Sequence, residues 1–209
     1  MFFVSEQLQF GEVAKRRRHR SPRLTIGLAS IAFMLLTPLA STAQSLPKTD
    51  EVTLAGDQVN LESSLKGNTG ILVLGFSKKS GDQAKEWTKA LLSEFSADRS
   101  VVIFEMPILE SMPRLVRGMA VRSMKNASSP TERQHFVPVF HNEMQWKQVA
   151  QFSEPDDAYI VVLDRERKIV WREHGPIDEK RKAELIGKIR ALLSATRPEE
   201  PTTVPFSPR

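Results

Sequence analysis

Short apolar runs alternate with helical apolar stripes along residues 67–195. The runs at 71–76 and 101–104 are almost wholly apolar, as parallel strands covered on both faces are. Between them, Ala84, Trp87 and Leu91 recur at helical spacing and predict a helix over about 82–96. A strand, a helix and a second apolar strand predict a βαβ unit with parallel strands.

The last third predicts an antiparallel hairpin and a closing helix. Residues 159–163 are apolar, 164–168 form a charged turn, and Ile169 and Trp171 share a face. Arg167 would be unfavourable with a positive φ, so we expect another turn type there. An apolar stripe predicts a final helix from 178 or 179 to about 194. The predicted fold class is α/β: a thioredoxin-like mixed sheet, two parallel strands plus an antiparallel hairpin, with helices on both faces.

A helical insert separates the two halves. Residues 109–125 predict an amphipathic helix with Pro113 in its first turn. Residues 135–141 contain Pro138, so they predict an edge strand or extended loop. Asn142 is expected to cap a short helix that ends near 151. Ahead of the domain, 44–66 predicts a polar linker and a leading segment with a short edge strand and a helical turn.

Both termini have their own patterns. A basic run at 15–23, an apolar stretch from Leu24 to Ala40 and small residues at 41–43 predict a secretory signal peptide over 1–43. An uncut anchor is the alternative, because the apolar stretch lies at the lower edge of a spanning length. Either way, we expect export to the periplasm or the exterior. Residues 196–209 are Pro-rich and predict a disordered tail.

Composition narrows the function classes. The chain has 209 residues, a net charge of +5 and no cysteine, which excludes disulfides and thiol chemistry. The basic excess is concentrated in the N-terminal segment, so the remainder gives no support for nucleic-acid binding.

The loop after the first predicted core strand lies where many α/β folds carry an active site. It contains Ser77, Lys78, Lys79 and Ser80. A serine nucleophile there has no identifiable base nearby in sequence. The two lysines could hold an anion at the helix N-terminus, but no glycine-rich phosphate motif surrounds them. One hypothesis is therefore a thiol-independent enzyme or small-ligand module that uses this loop with Glu105.

A metal site is the weakest candidate. His135, His141 and Glu143 carry ligand-type side chains, but the histidine spacing fits no compact helical pair. We expect no metal and no cofactor.

Two segments resemble a known family. Residues 104–125 (FEMPILESMPRLVRGMAVRSMK) and 159–175 (YIVVLDRERKIVWREHG) resemble the mitochondrial ATP synthase assembly factor family, whose members look thioredoxin-like and need not be redox enzymes. The resemblance spans about 70–193. The matching positions are Glu105, Leu109, Glu110, Ser111, Leu115, Arg117, Arg122 and Ser123 in the helix motif, and Leu163, Asp164 and Trp171 in the hairpin.

The chain departs from thiol-dependent relatives of this fold at two places. It has 77–81 in place of a Cys-x-x-Cys, and Asp156, Asp157 and Ala158 where thioredoxins place a cis-proline. The resemblance therefore implies a redox-inactive assembly factor or chaperone for a membrane protein complex, a binding protein rather than an enzyme. A peroxiredoxin-like domain without surviving chemistry is a third hypothesis.

The basic, Met-rich helix is the candidate partner-binding element. Arginine with flexible methionine suits a surface that grips apolar helices or anionic lipid heads. We expect a membrane protein or a membrane surface as partner. The alternative is an ordinary helix packed by its Met/Leu face, with a solvated basic side. The candidate residues are Glu105, Glu110, Arg114, Arg117, Met119, Arg122 and Met124.

Overall fold

A four-stranded mixed sheet forms the centre of the computed structural model, which describes residues 45–195. The strand order is β4-β3-β5-β6. Strands β3 (Thr69–Gly75) and β4 (Val101–Pro107) are parallel. Strand β5 (Tyr159–Leu163) is antiparallel to β3 and to β6 (Ile169–His174). The predicted parallel pair and hairpin are confirmed. The predicted signal or anchor at 1–43 and the tail at 196–209 lie outside the described residues.

Helices cover both faces of this sheet, as predicted. Helices α2 (Lys78–Phe95) and α6 (Glu179–Ala195) bury one face. Helices α1 (Leu61–Ser64) and α5 (Glu143–Ala150) bury residues against the other. Alternating strand residues point into the two cores. The first core includes Ile71, Val73, Trp87, Leu91, Ile103, Ile160 and Leu185, and the second Leu72, Leu74, Phe104, Met106, Trp146, Tyr159 and Val161.

Three helix boundaries differ from the prediction. Helix α2 begins at Lys78, not near 82, because Ser77 caps it. Helix α3 runs over Arg114–Asn126 with Pro113 as its N-cap, so 109–113 lie outside the helix. Helix α4 (Pro130–His135) was predicted as loop and extended chain.

The segment ahead of β3 is part of the packed domain rather than a linker. Strands β1 (Asp50–Val52) and β2 (Gln58–Asn60) form a small antiparallel hairpin. Pro47 is buried, and Leu61 and Leu65 belong to the core. The predicted short strand and helical turn are present, but the polar linker prediction for this segment is wrong.

Residues 136–139 run extended along the outer edge of β4, as Pro138 predicted. The backbone N–H of Val137 donates to Glu105 O at 2.8 Å, and that of Val139 donates to Pro107 O at 2.9 Å. Asn142 precedes α5 at φ 62 and makes no side-chain cap bond. Its Nδ2 donates instead to Lys48 O, so the predicted position is right and the predicted cap is not.

The hairpin turn corrects another expectation. Arg167 adopts φ 64, although the sequence favoured a turn that avoids this conformation. The carboxylate of Asp164 accepts hydrogen bonds from the backbone N–H groups of Glu166 and Lys168 and holds the turn. Arg167 also pairs with Glu62 at 2.9 Å. Of the helices between 45 and 195, none has the length and hydropathy needed to cross a bilayer.

Candidate functional site

Residues 77–81, the predicted loop, consist of the Ser77 cap and the first turn of α2, and this loop segment packs closely against the end of β3. A Cβ at Gly75 would lie 3.1 Å from the backbone N and Cα of Gly81, closer than ordinary van der Waals contact. A side chain at 75 would therefore push the first turn of α2 outward by a few tenths of an ångström, which glycine avoids.

Both serine hydroxyls of this loop form a capping box. Ser77 Oγ accepts a hydrogen bond from Ser80 N at 3.1 Å. Ser80 Oγ, fully buried, accepts from the N–H groups of Phe76 and Ser77 at 2.7 and 2.8 Å and donates to Ser77 O at 3.1 Å. The bonds satisfy N–H groups that every helix start leaves unpaired. These hydroxyls serve the helix start, and Ser80 has no access to a substrate.

Asp156 approaches the loop from the segment before β5. Its carboxylate accepts from Ser77 Oγ at 3.2 Å and pairs with Lys79 Nζ at 3.3 Å. The structure thus brings together the two places where the sequence departs from thiol-dependent relatives. Because Lys79 already has a carboxylate partner, the loop is a poorer anion site than its two lysines suggest.

An aromatic group beside this loop was missed in the sequence. His174 stacks on Tyr159 with ring centroids 5.5 Å apart, and its Nδ1 lies 2.8 Å from Asp157 Oδ2. Phe76 and Phe152 pack edge-on and tilted against Tyr159. The position of His174 beside Gly175 favours a surface turn residue, yet the hairpin register pairs Tyr159 with His174 across the strands and could have placed the two rings together.

Glu105 lies away from the loop. It points from β4 towards Lys85 and Thr88 of α2, and it is 6% exposed. Lys85 lies eight residues after the cap, a rise of roughly 12 Å along the helix. Burial raises the pKa of Glu105 to about 7, and the hydroxyl of Thr88 and the charge of Lys85 partly oppose this shift. The structure does not join Glu105 to the loop as the enzyme hypothesis required.

Helix α3 has no buried residue along its 13 positions. Leu115 is 94% exposed and Met119, one turn further on, is 66% exposed. Arg114 and Arg122 are exposed as well. The alternative in which the Met/Leu face is packed against the protein is therefore wrong for these two side chains. Met124 is only half-buried and lies on another side of the helix.

Arg117 is half-buried and Glu110 is exposed, and both make hydrogen bonds within the protein. Arg117 Nε donates to Met112 O at 2.9 Å and Nη2 to Glu110 O at 2.7 Å, and its guanidinium stacks on Phe140. The carboxylate of Glu110 accepts from Glu143 N at 2.6 Å. Because α3 starts only at Arg114, Glu110 lies outside the helix. Among the described residues, no ion pair joins the side chains of Glu110 and Arg117.

The other end of α3 is tied down by two cations. Lys85 Nζ donates to Ala127 O at 2.8 Å, and Arg133 Nε donates to Lys125 O at 2.9 Å. Positive charge near a helix C-terminus also stabilises the helix through its interaction with the helix dipole. The helix is thus fixed at both ends while its outer face stays bare.

Two cavities in the described part of the chain lie away from these residues. One of about 950 Å³ is lined by the segment 45–49, α1 and the β5–β6 turn, and one of about 550 Å³ by the ends of α2 and α6. Neither is lined by the loop at 77–81 or by Glu105.

His135 contacts Ile103 O and His141 pairs with Glu51. Within 45–195, no group of three His, Asp or Glu side chains could hold a metal.

Comparison with known proteins identifies the architecture. No protein-family model matches the sequence, and no curated protein matches it significantly. Solved structures do match. BsSco, a member of the Sco family of cytochrome c oxidase assembly proteins, superposes with a TM-score of 0.52 at 12% identity, over 75% of this chain and 96% of that one. A thiol:disulfide interchange protein from Bacteroides sp. gives 0.51 at 18%, over 78% and 97%.

A third neighbour is the pneumococcal exposed lipoprotein thioredoxin Etrx1 from Streptococcus pneumoniae strain TIGR4, with a TM-score of 0.50 at 12% identity, over 68% of this chain and 99% of that one. The chain has a thioredoxin-like fold. At these identities the likeness establishes the fold alone. The loop at 77–81, where the sequence resemblance implies the Cys-x-x-Cys position of thiol-dependent relatives, contains a serine capping box.

Proposed function

We propose that this protein is an exported, redox-inactive member of the thioredoxin-like fold that acts as an assembly factor or chaperone for a membrane protein complex. The observation that carries the proposal is the uncovered outer face of α3, where Leu115 and Met119 are exposed between arginines. Large apolar side chains exposed together on one helix face are typical of an interaction surface.

The state of the loop supports a binding role. A chain without cysteine cannot exchange disulfides. Ser77 and Ser80 are engaged in capping, and Lys79 is paired with Asp156. In the described part of the chain, the one carboxylate beside a loop hydroxyl is that of Asp156, and it is also paired with Lys79 while Ser77 Oγ caps α2. The thioredoxin-like domain then serves as a rigid support that presents α3.

The comparisons suggest the kind of partner. BsSco belongs to a family of cytochrome c oxidase assembly proteins, and residues 104–125 resemble the mitochondrial ATP synthase assembly factors. Both are assembly proteins, and the second resemblance covers α3 itself. Export is proposed from the signal pattern at 1–43, and the exposed lipoprotein among the structural neighbours is consistent with it.

The test is a rescue experiment in cells that naturally produce the chain. We expect deletion of the gene to lower the amount of one assembled membrane complex on native gels. Wild type and the loop variants Ser77→Ala and Lys79→Ala should restore it, whereas the double variant L115S/M119S should not. Val170 is a control, because it is an apolar side chain 44% exposed on the edge strand β6; V170S should rescue. An unchanged complex profile, or rescue lost only in the loop variants, would contradict the proposal.

A further inference from the structure

The exposed face of α3 has a definite layout. Leu115 and Met119 are four residues apart, so they are neighbours on one face of the helix. On a helical wheel Arg122 lies about 20° and Arg114 about 100° from Leu115, both on the side away from Met119. The helix contains four basic residues and no acidic one. With Arg117 turned back onto Phe140, the remaining bases are exposed.

The helix is formed and fixed before it meets any partner. Arg117 holds its first turn to the preceding segment, and Lys85 and Arg133 hold its last carbonyls. A preorganised element loses little conformational entropy on binding. Its 13 residues make a rod of roughly 20 Å, with one long side presented to the exterior of the domain.

The chemistry of this face matches an anionic lipid surface. Interfacial helices place apolar side chains at the acyl boundary and basic side chains at the headgroups. Arginine and lysine also keep their charge at the headgroup level while their stems lie along apolar surface. An apolar protein helix could also cover Leu115 and Met119. It would not account for the basic side chains beside them on a helix that contains no acidic residue.

We propose that α3 is an interfacial membrane-binding helix, with Leu115 and Met119 inserted among lipids and Arg114 and Arg122 on anionic headgroups. This inference rests on the proposed function and names the surface at which it takes place. An acidic membrane protein surface is the competing partner, and the experiment below separates the two.

The lack of cysteine allows a single labelled position. The full-length M119C variant carries an environment-sensitive fluorophore, and V170C, on the far edge strand of the sheet, is the position control. Local fluorescence reports on α3 itself, so an apolar N-terminal segment that binds vesicles does not mimic the result. Vesicles of phosphatidylcholine alone are compared with vesicles of equal parts phosphatidylcholine and phosphatidylglycerol.

We expect a blue shift and a several-fold rise in emission for M119C on the anionic vesicles only, with quenching by nitroxide-labelled lipid. V170C should not change. Adding R114E/R122E to M119C, or high salt, should abolish the response, because the attraction is electrostatic. No response of M119C on anionic vesicles, or an equal response on neutral ones, would overturn the inference.

A response seen only with solubilised membrane proteins would also overturn it and would assign α3 to a protein partner. In that case the rescue experiment decides separately whether the assembly function stands. Vesicle binding without any rescue defect in L115S/M119S would keep the lipid assignment and remove the assembly function. The two proposals can therefore fail independently.

Discussion

The loop at 77–81 and helix α3 differ in how their side chains are placed: those of the two serines are bonded within the protein, and those on the outer face of α3 are exposed. In the loop, the serine hydroxyls are engaged with nearby backbone, Ser80 Oγ being buried. On α3, Leu115 and Met119 point away from the protein although both are apolar. A group bonded internally stabilises the fold, whereas an uncovered apolar group contributes nothing to it. This contrast is the basis on which we propose interaction rather than chemistry as the role of the domain.

The largest effect should come from Glu105, the buried carboxyl group of β4 that faces α2. The pKa of Glu105 is raised to about 7 from 4.5, chiefly by burial. The folded state thus binds this proton more tightly than the unfolded chain does. The stabilisation that protonated Glu105 gives the folded state is complete below about pH 4.5 and is lost as the pH rises through 7. The change in the free energy of unfolding is on the order of 3 kcal/mol, at about 1.4 kcal/mol per pKa unit.

Glu105→Gln should therefore be more stable than wild type at about pH 8 and should flatten the pH profile above about pH 5. Urea unfolding across that range gives the free energy of unfolding for both proteins. Parallel profiles for the variant and wild type would mean that Glu105 is not buried as a protonated acid.

Ser80→Ala should be the most damaging change in the loop. It removes the acceptor of two backbone N–H groups in a fully buried setting. Unsatisfied buried donors cost about 1–3 kcal/mol, so we expect a loss of about 2 kcal/mol. Thermal or urea unfolding measures this. A loss near zero would show that water reaches the loop and that the site is more open than its hydrogen bonds imply.

Ser77→Ala should have a smaller effect. It deletes the N-cap of α2, which typically costs about 1 kcal/mol. Ser77→Asp keeps a capping acceptor and is the matched control, although it places a second carboxylate beside Asp156. If alanine is as stable as wild type while a biological readout falls, the hydroxyl of Ser77 has a chemical role after all.

The exposed pair on α3 should show the smallest effect on stability. L115S/M119S removes no buried contact, so the free energy of unfolding should stay within about 0.5 kcal/mol of wild type. Equilibrium unfolding of the double variant checks this, with V170S as the comparison. A loss comparable to that of Ser80→Ala would mean that the face is covered in the folded protein.

The sequence predicted the architecture better than it predicted the site. Apolar runs at 71–76 and 159–163 place the sheet because strands buried on both faces leave few alternatives. The starts of α2 and α4 were missed, although Ser77 and Ser80, and Ser129 and Glu132, have the spacing of a capping box. A cluster of turn-forming residues outweighed the cap in the first case.

Exposure on α3 could not be predicted from its own residues. An amphipathic pattern tells which side chains share a face, but not whether another element covers that face. The sequence predicts Arg117 as a partner-binding residue, yet its side chain turns back because the carbonyls of Glu110 and Met112 lie within its reach. The positive φ of Arg167 likewise follows from the turn that Asp164 holds by hydrogen bonds, and not from the backbone preference of arginine.

One measurement compares the two regions directly. A photo-reactive benzoylphenylalanine replaces either Met119 on α3 or the exposed Lys78 in the loop, and intact cells are irradiated. The account predicts adducts with membrane components from position 119 and none from position 78. Adducts from position 78 with none from position 119 would contradict it.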